Sequence, residues 1–199
     1  MRSLSLIGIL AAVSISGADL PRQSPEFVIN LPSGEKQLLS KYRGKVVLIE
    51  FLHTTCSHCQ HTAGEFSKLQ NEFGSRGLQV LGIAFNEMSN MLAADFIRDF
   101  KPAFTVGWAN RDPAMVYLGI SPIERFVVPQ VVLIDRRGVI RQQTPPLGDA
   151  NLQDEKFLRV KIEELLGGAA AERKPSAAVK SAAGPSASAL MKKPATTHR

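Results

Sequence analysis

Cys56 and Cys59 are the only cysteines in 199 residues, and they stand three positions apart in Cys56-Ser57-His58-Cys59. Side chains at i and i+3 share one face of a helix, so these two sulfurs can close a disulfide without moving the backbone apart. At the start of a helix, Cys56 meets unpaired N–H groups and the positive end of the helix dipole, both of which favour a thiolate. Cys59, one turn deeper, is more shielded. That asymmetry predicts that Cys56 enters a mixed disulfide and Cys59 resolves it. His58 lies between the two and, when protonated, adds stabilisation to a thiolate at Cys56, favouring the reduced form and a more oxidising couple. No cofactor is required for such chemistry, because the pair is itself the redox group.

The elements that must position this pair are legible around it. Lys45 to Leu52 (KVVLIEFL) is a nearly continuous apolar run rich in β-branched residues, the pattern of a strand buried on both faces, with Glu50 its only charge after Lys45. Thr54 or Thr55 can cap a helix with Cys56 in its first turn; Phe66, Leu69 and Phe73 recur at helical spacing until Gly74 and Gly77 end it. Leu78 to Phe85 reads as a second buried strand, followed by a helix from about Asn90 to Phe100 with Leu92, Phe96 and Phe100 on one face and Pro102 as its stop. Ala103 to Val106 predicts a short strand, and Asp112 to Leu118 a short helix with Pro113 at its first position.

Phe126 to Asp135 is an apolar run interrupted by Pro129, so a strand starts just after that proline or lies at an edge. Arg136-Arg137-Gly138 then turns the chain into Val139 to Gln142. A helix from about Leu152 to Leu166 closes the domain, with Gly167-Gly168 as its stop. Near the N-terminus, Glu26 to Leu31 is a short extended piece. Strands alternating with helices and ending in a hairpin predict an α/β fold whose central mixed sheet carries helices on both faces.

The flanks differ in character. Residues 1–18 carry one arginine, an apolar run from Leu4 to Val13 and the small residues Ser16-Gly17-Ala18, the pattern of a signal peptide cleaved after Ala18. Residues 26–166 form the expected domain. Residues 167–199, mostly Ala, Ser, Pro and Lys without apolar period, read as a disordered tail. The formal charge of +6 belongs to the flanks, since Asp19 to Leu166 holds 17 basic and 17 acidic residues. Charge therefore gives no reason to expect nucleic acid as a partner. Export into a disulfide-tolerant compartment such as a periplasm agrees with a lone cysteine pair kept for chemistry rather than for stapling.

The segment Gly44 to Gln60, GKVVLIEFLHTTCSHCQ, resembles the strand-loop-helix of the thioredoxin superfamily, and EFVINLPSGEKQLLSKYRGK resembles the TlpA/ResA-like branch of exported thioredoxins. The resemblance implies a thioredoxin-like fold and a thiol-disulfide oxidoreductase that exchanges disulfides with protein substrates and an upstream redox partner. It also implies that the Val128-Pro129 bond is cis and that the Val128 backbone pairs with an extended substrate chain. Glu50 falls where the superfamily places a buried acid; a carboxyl in that apolar strand is desolvated, has a raised pKa, and can pass a proton to or from Cys59. Thr55 and Leu52 stand where tryptophans are common, and His53 where a small residue is usual. Ser57-His58 partly resembles the Pro-His pair of oxidising DsbA-type proteins, so the direction of electron flow stays open.

Two other readings use the same residues. His53, Cys56, His58, Cys59 and His61 supply five candidate ligands within nine residues, as a copper- or zinc-binding chaperone would need. Against convergence, ligands at 56, 58, 59 and 61 point around a helix. A peroxiredoxin-like thiol peroxidase fits the long Phe85 to Tyr117 connection, although the proline expected upstream of the cysteine is absent.

Overall fold

The computed structural model describes residues 19–171; the expected signal peptide and nearly all of the expected tail lie outside the described residues. In chain order the strands and helices are β1 (Arg22–Gln23), β2 (Val28–Asn30), β3 (Lys36–Leu38), β4 (Val46–Leu52), α1 (Ser57–Phe73), β5 (Leu78–Ala84), α2 (Ser89–Phe100), β6 (Thr105–Trp108), α3 (Arg111–Leu118), β7 (Gln130–Ile134), β8 (Val139–Gln143) and α4 (Glu155–Ala171). The strands form one mixed sheet in the order β1-β8-β7-β4-β5-β6-β2-β3. β4 lies near its middle, parallel to β5 and antiparallel to β7.

All seven residues of β4 are buried, and their alternation divides the core. Val47, Ile49 and Phe51 join Tyr117, Leu118 and Met115 of α3 on one face. Val46 and Leu48 join Phe66, Leu69 and Phe73 of α1 and Leu158 and Ile162 of α4 on the other. Each wholly buried side chain of this size contributes roughly 1.5–3 kcal/mol. The period of two then puts Glu50 on the α1 face, between Leu48 and Leu52. Helices thus cover both faces of a mixed sheet, the expected α/β thioredoxin-like arrangement. Among the described residues no helix is long and apolar enough to cross a membrane.

Several local expectations need correction. The residue capping α1 is Cys56 itself, in extended conformation and without a side-chain cap bond; Thr54 is buried and bonded elsewhere, and Thr55 is exposed. The buried stripe of α2 is Ser89, Ala93 and Phe96; Phe100, one turn further on and the last residue of the helix, is exposed and lies against the Phe96 ring at 4.9 Å between centroids. β6 begins two residues later than expected because its parallel pairing starts at Leu81 with Thr105. Pro113 is the third residue of α3, where an N–H is still without an intrahelical partner and its loss costs little. Gly167 and Gly168 do not stop α4, which runs on to Ala171; a glycine in helical backbone costs only about 1 kcal/mol relative to alanine, too little to end a helix by itself. β1 and β3, two and three residues long, are too short to show an apolar period.

Candidate active site

β4 ends at Leu52, and the chain passes over the sheet edge through His53, Thr54 and Thr55 before α1 begins. This turn is tied at several points. The Thr54 N–H donates to Asn86 Oδ1 at 3.0 Å, and Asn86 Nδ2 donates back to Thr54 Oγ1 at 3.2 Å. Gln60 Nε2 donates to the Thr54 carbonyl at 3.0 Å, and the Cys56 N–H to the His53 carbonyl at 3.1 Å. Asn86 is the first residue after the buried run that forms β5, so two adjacent parallel strands end in side chains that hold one another. The result fixes Cys56 at the mouth of α1.

The two sulfurs occupy different surroundings. Cys56 is half-buried, and its thiol is directed to the Val128 carbonyl at 3.9 Å. Cys59 is wholly buried among Leu52, Ala63, Ala84, Ala93, Phe96 and Val106. Burial pushes the Cys59 thiol far above the usual thiol range; a backbone hydrogen bond from His53 opposes this, and the Glu50 carboxyl adds to the rise. Both cysteines are free thiols in this structure.

Glu50 is 0% exposed, and neither of its carboxyl oxygens has a hydrogen-bond partner. Desolvation, and then charge at Cys56, hold its carboxyl well above the ordinary carboxylate range. The arrangement therefore buries two groups that each resist ionisation, Glu50 and Cys59, beneath one that reaches solvent. His58 and His61 are exposed on α1. Among the described residues no three His, Cys, Asp or Glu side chains come together so as to hold a metal ion; His58 and His61 turn outward while Cys59 turns inward.

Across from Cys56, the Val128-Pro129 peptide bond is cis, and β7 starts directly after it. Val128 packs against the cluster around Cys59. The family resemblance implied both the position and the isomer, whereas the residues alone allowed only an edge or a strand start.

Residues 21–143 match the model of the AhpC/TSA family, a span that includes both cysteines, Glu50 and the cis-proline. The chain belongs to the AhpC/TSA family. Within that family it is similar to the thiol-disulfide oxidoreductase ResA of Geobacillus kaustophilus, 24% identical over 152 residues covering 71% of this chain and 84% of that protein. It is also 28% identical over 122 residues to the thioredoxin-like protein YneN of Bacillus subtilis, covering 60% and 68% of the two chains. A crystal structure of a thioredoxin-family thiol:disulfide interchange protein from Chlorobium tepidum shares the fold, with a TM-score of 0.60 at 20% identity over 75% of this chain and all of that one. The TlpA/ResA-like relationship expected from the sequence is borne out, and this AhpC/TSA member is an oxidoreductase of thioredoxin-like fold.

His53, marked in the sequence as a departure and as a candidate ligand, has an apolar setting, and two further residues of the site carried no mark in the sequence. His53 is half-buried with its ring 4.8 Å from that of Phe85 and 6.4 Å from that of Phe126; burial, with Arg111 nearby, holds its pKa below the ordinary value. Those two are Asn86 and Gln130. Asn86 is a polar residue following an apolar run and Gln130 one inside an apolar run, and these breaks in the pattern were the only signal available.

Proposed function

We propose that the protein exchanges disulfides with protein thiols through the Cys56-Ser57-His58-Cys59 motif in an exported, periplasm-like compartment, supplied by an upstream redox partner and without a bound cofactor. The observation that carries this reading is the contrast between the two sulfurs: Cys56 half-buried at a helix mouth facing a backbone carbonyl, and Cys59 sealed in the core beside Glu50.

In the reducing direction, the Cys56 thiolate attacks a substrate disulfide. A Cys56–substrate bond forms, the substrate S–S bond breaks, and the departing sulfur takes a proton from solvent. Cys59 then gives its proton to the Glu50 carboxylate and attacks the Cys56 sulfur. The Cys56–Cys59 disulfide forms, the Cys56–substrate bond breaks and the second substrate sulfur leaves to take a proton from solvent, so two electrons pass to the substrate. In the oxidising direction a substrate thiolate attacks Cys56 of the disulfide and Cys59 departs, taking the proton of Glu50. A second substrate thiolate then attacks the substrate sulfur, its disulfide forms, and Cys56 leaves as the thiolate. One proton held between Glu50 and Cys59 keeps this buried pair from carrying two charges at once, which would be costly. The extended substrate chain lies against the backbone at Val128, with Pro129 shaping the groove, and His58 stabilises the Cys56 thiolate from the solvent side.

Replacing Cys59 by serine in the full chain tests this. Cys59→Ser is expected to accumulate a mixed disulfide between Cys56 and substrate protein, and Cys56→Ser to accumulate none. Equal trapping by both variants would sink the assignment of roles. Consumption of hydrogen peroxide without any disulfide exchange would favour the peroxidase reading, and tight stoichiometric Cu(I) binding by both thiols the metal reading.

A further inference from the structure

Three prolines, Pro129, Pro145 and Pro146, fall where the loop facing Cys56 meets the segment that follows β8. None of them has an N–H, so the β7–β8 ladder cannot be extended across this contact by main-chain donors. Side chains replace them. Gln130 is completely buried, and its Nε2 donates to the carbonyls of Val127 at 2.8 Å, Pro146 at 3.2 Å and Pro145 at 3.3 Å. One residue further along, Thr144 Oγ1 accepts the Val131 N–H at 2.9 Å. Two main-chain bonds add to these: the Val127 N–H reaches the Pro146 carbonyl at 2.9 Å and the Thr144 N–H the Val131 carbonyl at 2.9 Å.

Gln130 faces Phe51 across the sheet, on a side where the buried neighbours are otherwise apolar. Its Oε1 is buried without a partner. An apolar side chain would fill the same space without that unpaired oxygen, so packing alone gives no reason for glutamine here. Its NH2 group does: one amide holds three carbonyls from both sides of the contact, and the middle of the held segment is Val128, whose carbonyl faces the Cys56 sulfur at 3.9 Å.

We infer that Gln130 is a positioning residue for disulfide exchange, clamping the Val127–Pro129 backbone in the place where it meets Cys56 and pairs with the substrate chain. The inference rests on the function proposed above. It acts through the loop and not on the sulfur, so its removal weakens engagement of an extended substrate more than it changes intrinsic reactivity of Cys56.

The test uses the full chain and a synthetic peptide carrying one disulfide. Gln130→Met keeps volume and removes the donors; KM for the peptide is expected to rise about tenfold, the order of a lost hydrogen bond, with kcat and the rate of Cys56 alkylation by iodoacetamide within about twofold of the wild type. Gln130→Glu donates only when protonated, so its KM is expected to fall towards the wild-type value as pH is lowered, while that of Gln130→Met stays level. Amide hydrogen exchange at Val127 is expected to accelerate in Gln130→Met. An unchanged KM in Gln130→Met, or unchanged exchange at Val127, overturns the clamp. A wild-type protein that exchanges no peptide disulfide instead overturns the proposed function, and the Val127 exchange rates then still decide whether the clamp exists.

Discussion

Glu50 and Cys59 are both wholly buried, on the same side of β4, and burial makes each of them hard to ionise, with the Glu50 carboxyl adding to the rise at Cys59. Among the described residues the carboxyl has no hydrogen-bond partner. A buried acid that nothing else engages stands free to serve the buried thiol during exchange.

The Glu50→Gln substitution separates the chemical role from the structural one. Removing the titrating carboxyl is expected to slow the step in which Cys59 attacks or leaves by on the order of 100-fold, the usual scale for general acid–base assistance, while reaction of Cys56 with alkylating reagent stays near the wild-type rate. Stopped-flow measurement of mixed-disulfide decay reads this directly, and an unchanged decay rate would remove Glu50 from the mechanism.

Glu50 also imposes a pH dependence on stability. Its folded-state pKa is raised above the ordinary value of 4.5, so the native state holds a proton that the unfolded chain has lost. The associated stability is complete below pH 4.5 and declines as pH rises towards the folded pKa, by about 1.4 kcal/mol per pH unit within that window. Thermal unfolding of the wild type is expected to lose ground relative to Glu50→Gln as pH rises above 4.5 towards the folded pKa. Parallel curves for the two proteins would contradict the burial of an unpaired carboxyl.

Reduced protein treated with iodoacetamide at pH 8 should be modified at Cys56 first, with Cys59 protected on the order of 100-fold until denaturant is added. Peptide mapping by mass spectrometry identifies the labelled position. Equal labelling in the folded state would show that the Cys59 pocket opens on the timescale of the reaction.

His58→Ala is expected to make the reduction potential more negative by roughly 30 mV, one tenfold step in the exchange constant. Equilibration against glutathione buffers, with free thiol quantified, measures it. A potential unchanged by this substitution would make His58 a solvent-exposed bystander.

Gly107 lies in β6 where a Cβ would come within 2.5 Å of Ile29 Cγ2 and 2.6 Å of the Asn30 carbonyl oxygen. Gly107→Ala must push β2 away from β6, where the chains pair through Asn30 and Trp108, and is expected to cost about 1–3 kcal/mol as overpacking does. Calorimetry should show the loss while the reduction potential, set some strands away, is retained.

The strand-helix order around the dithiol, the burial of β4 and the shielding of Cys59 relative to Cys56 could be read from the chain alone, because those features depend on local periodicity and on residue spacing. The family resemblance added the position opposite Cys56 and its cis bond. What only tertiary structure decided is which polar residues serve the site. Thr54 looks like a cap but is turned to Asn86, 32 positions away, and Gln130 looks like a lapse in an apolar run but binds carbonyls 15 and 16 positions downstream. Apolar patterns repeat along the chain and can be read from it, whereas a hydrogen bond is short and directional, and its partner is chosen only when distant segments are brought together.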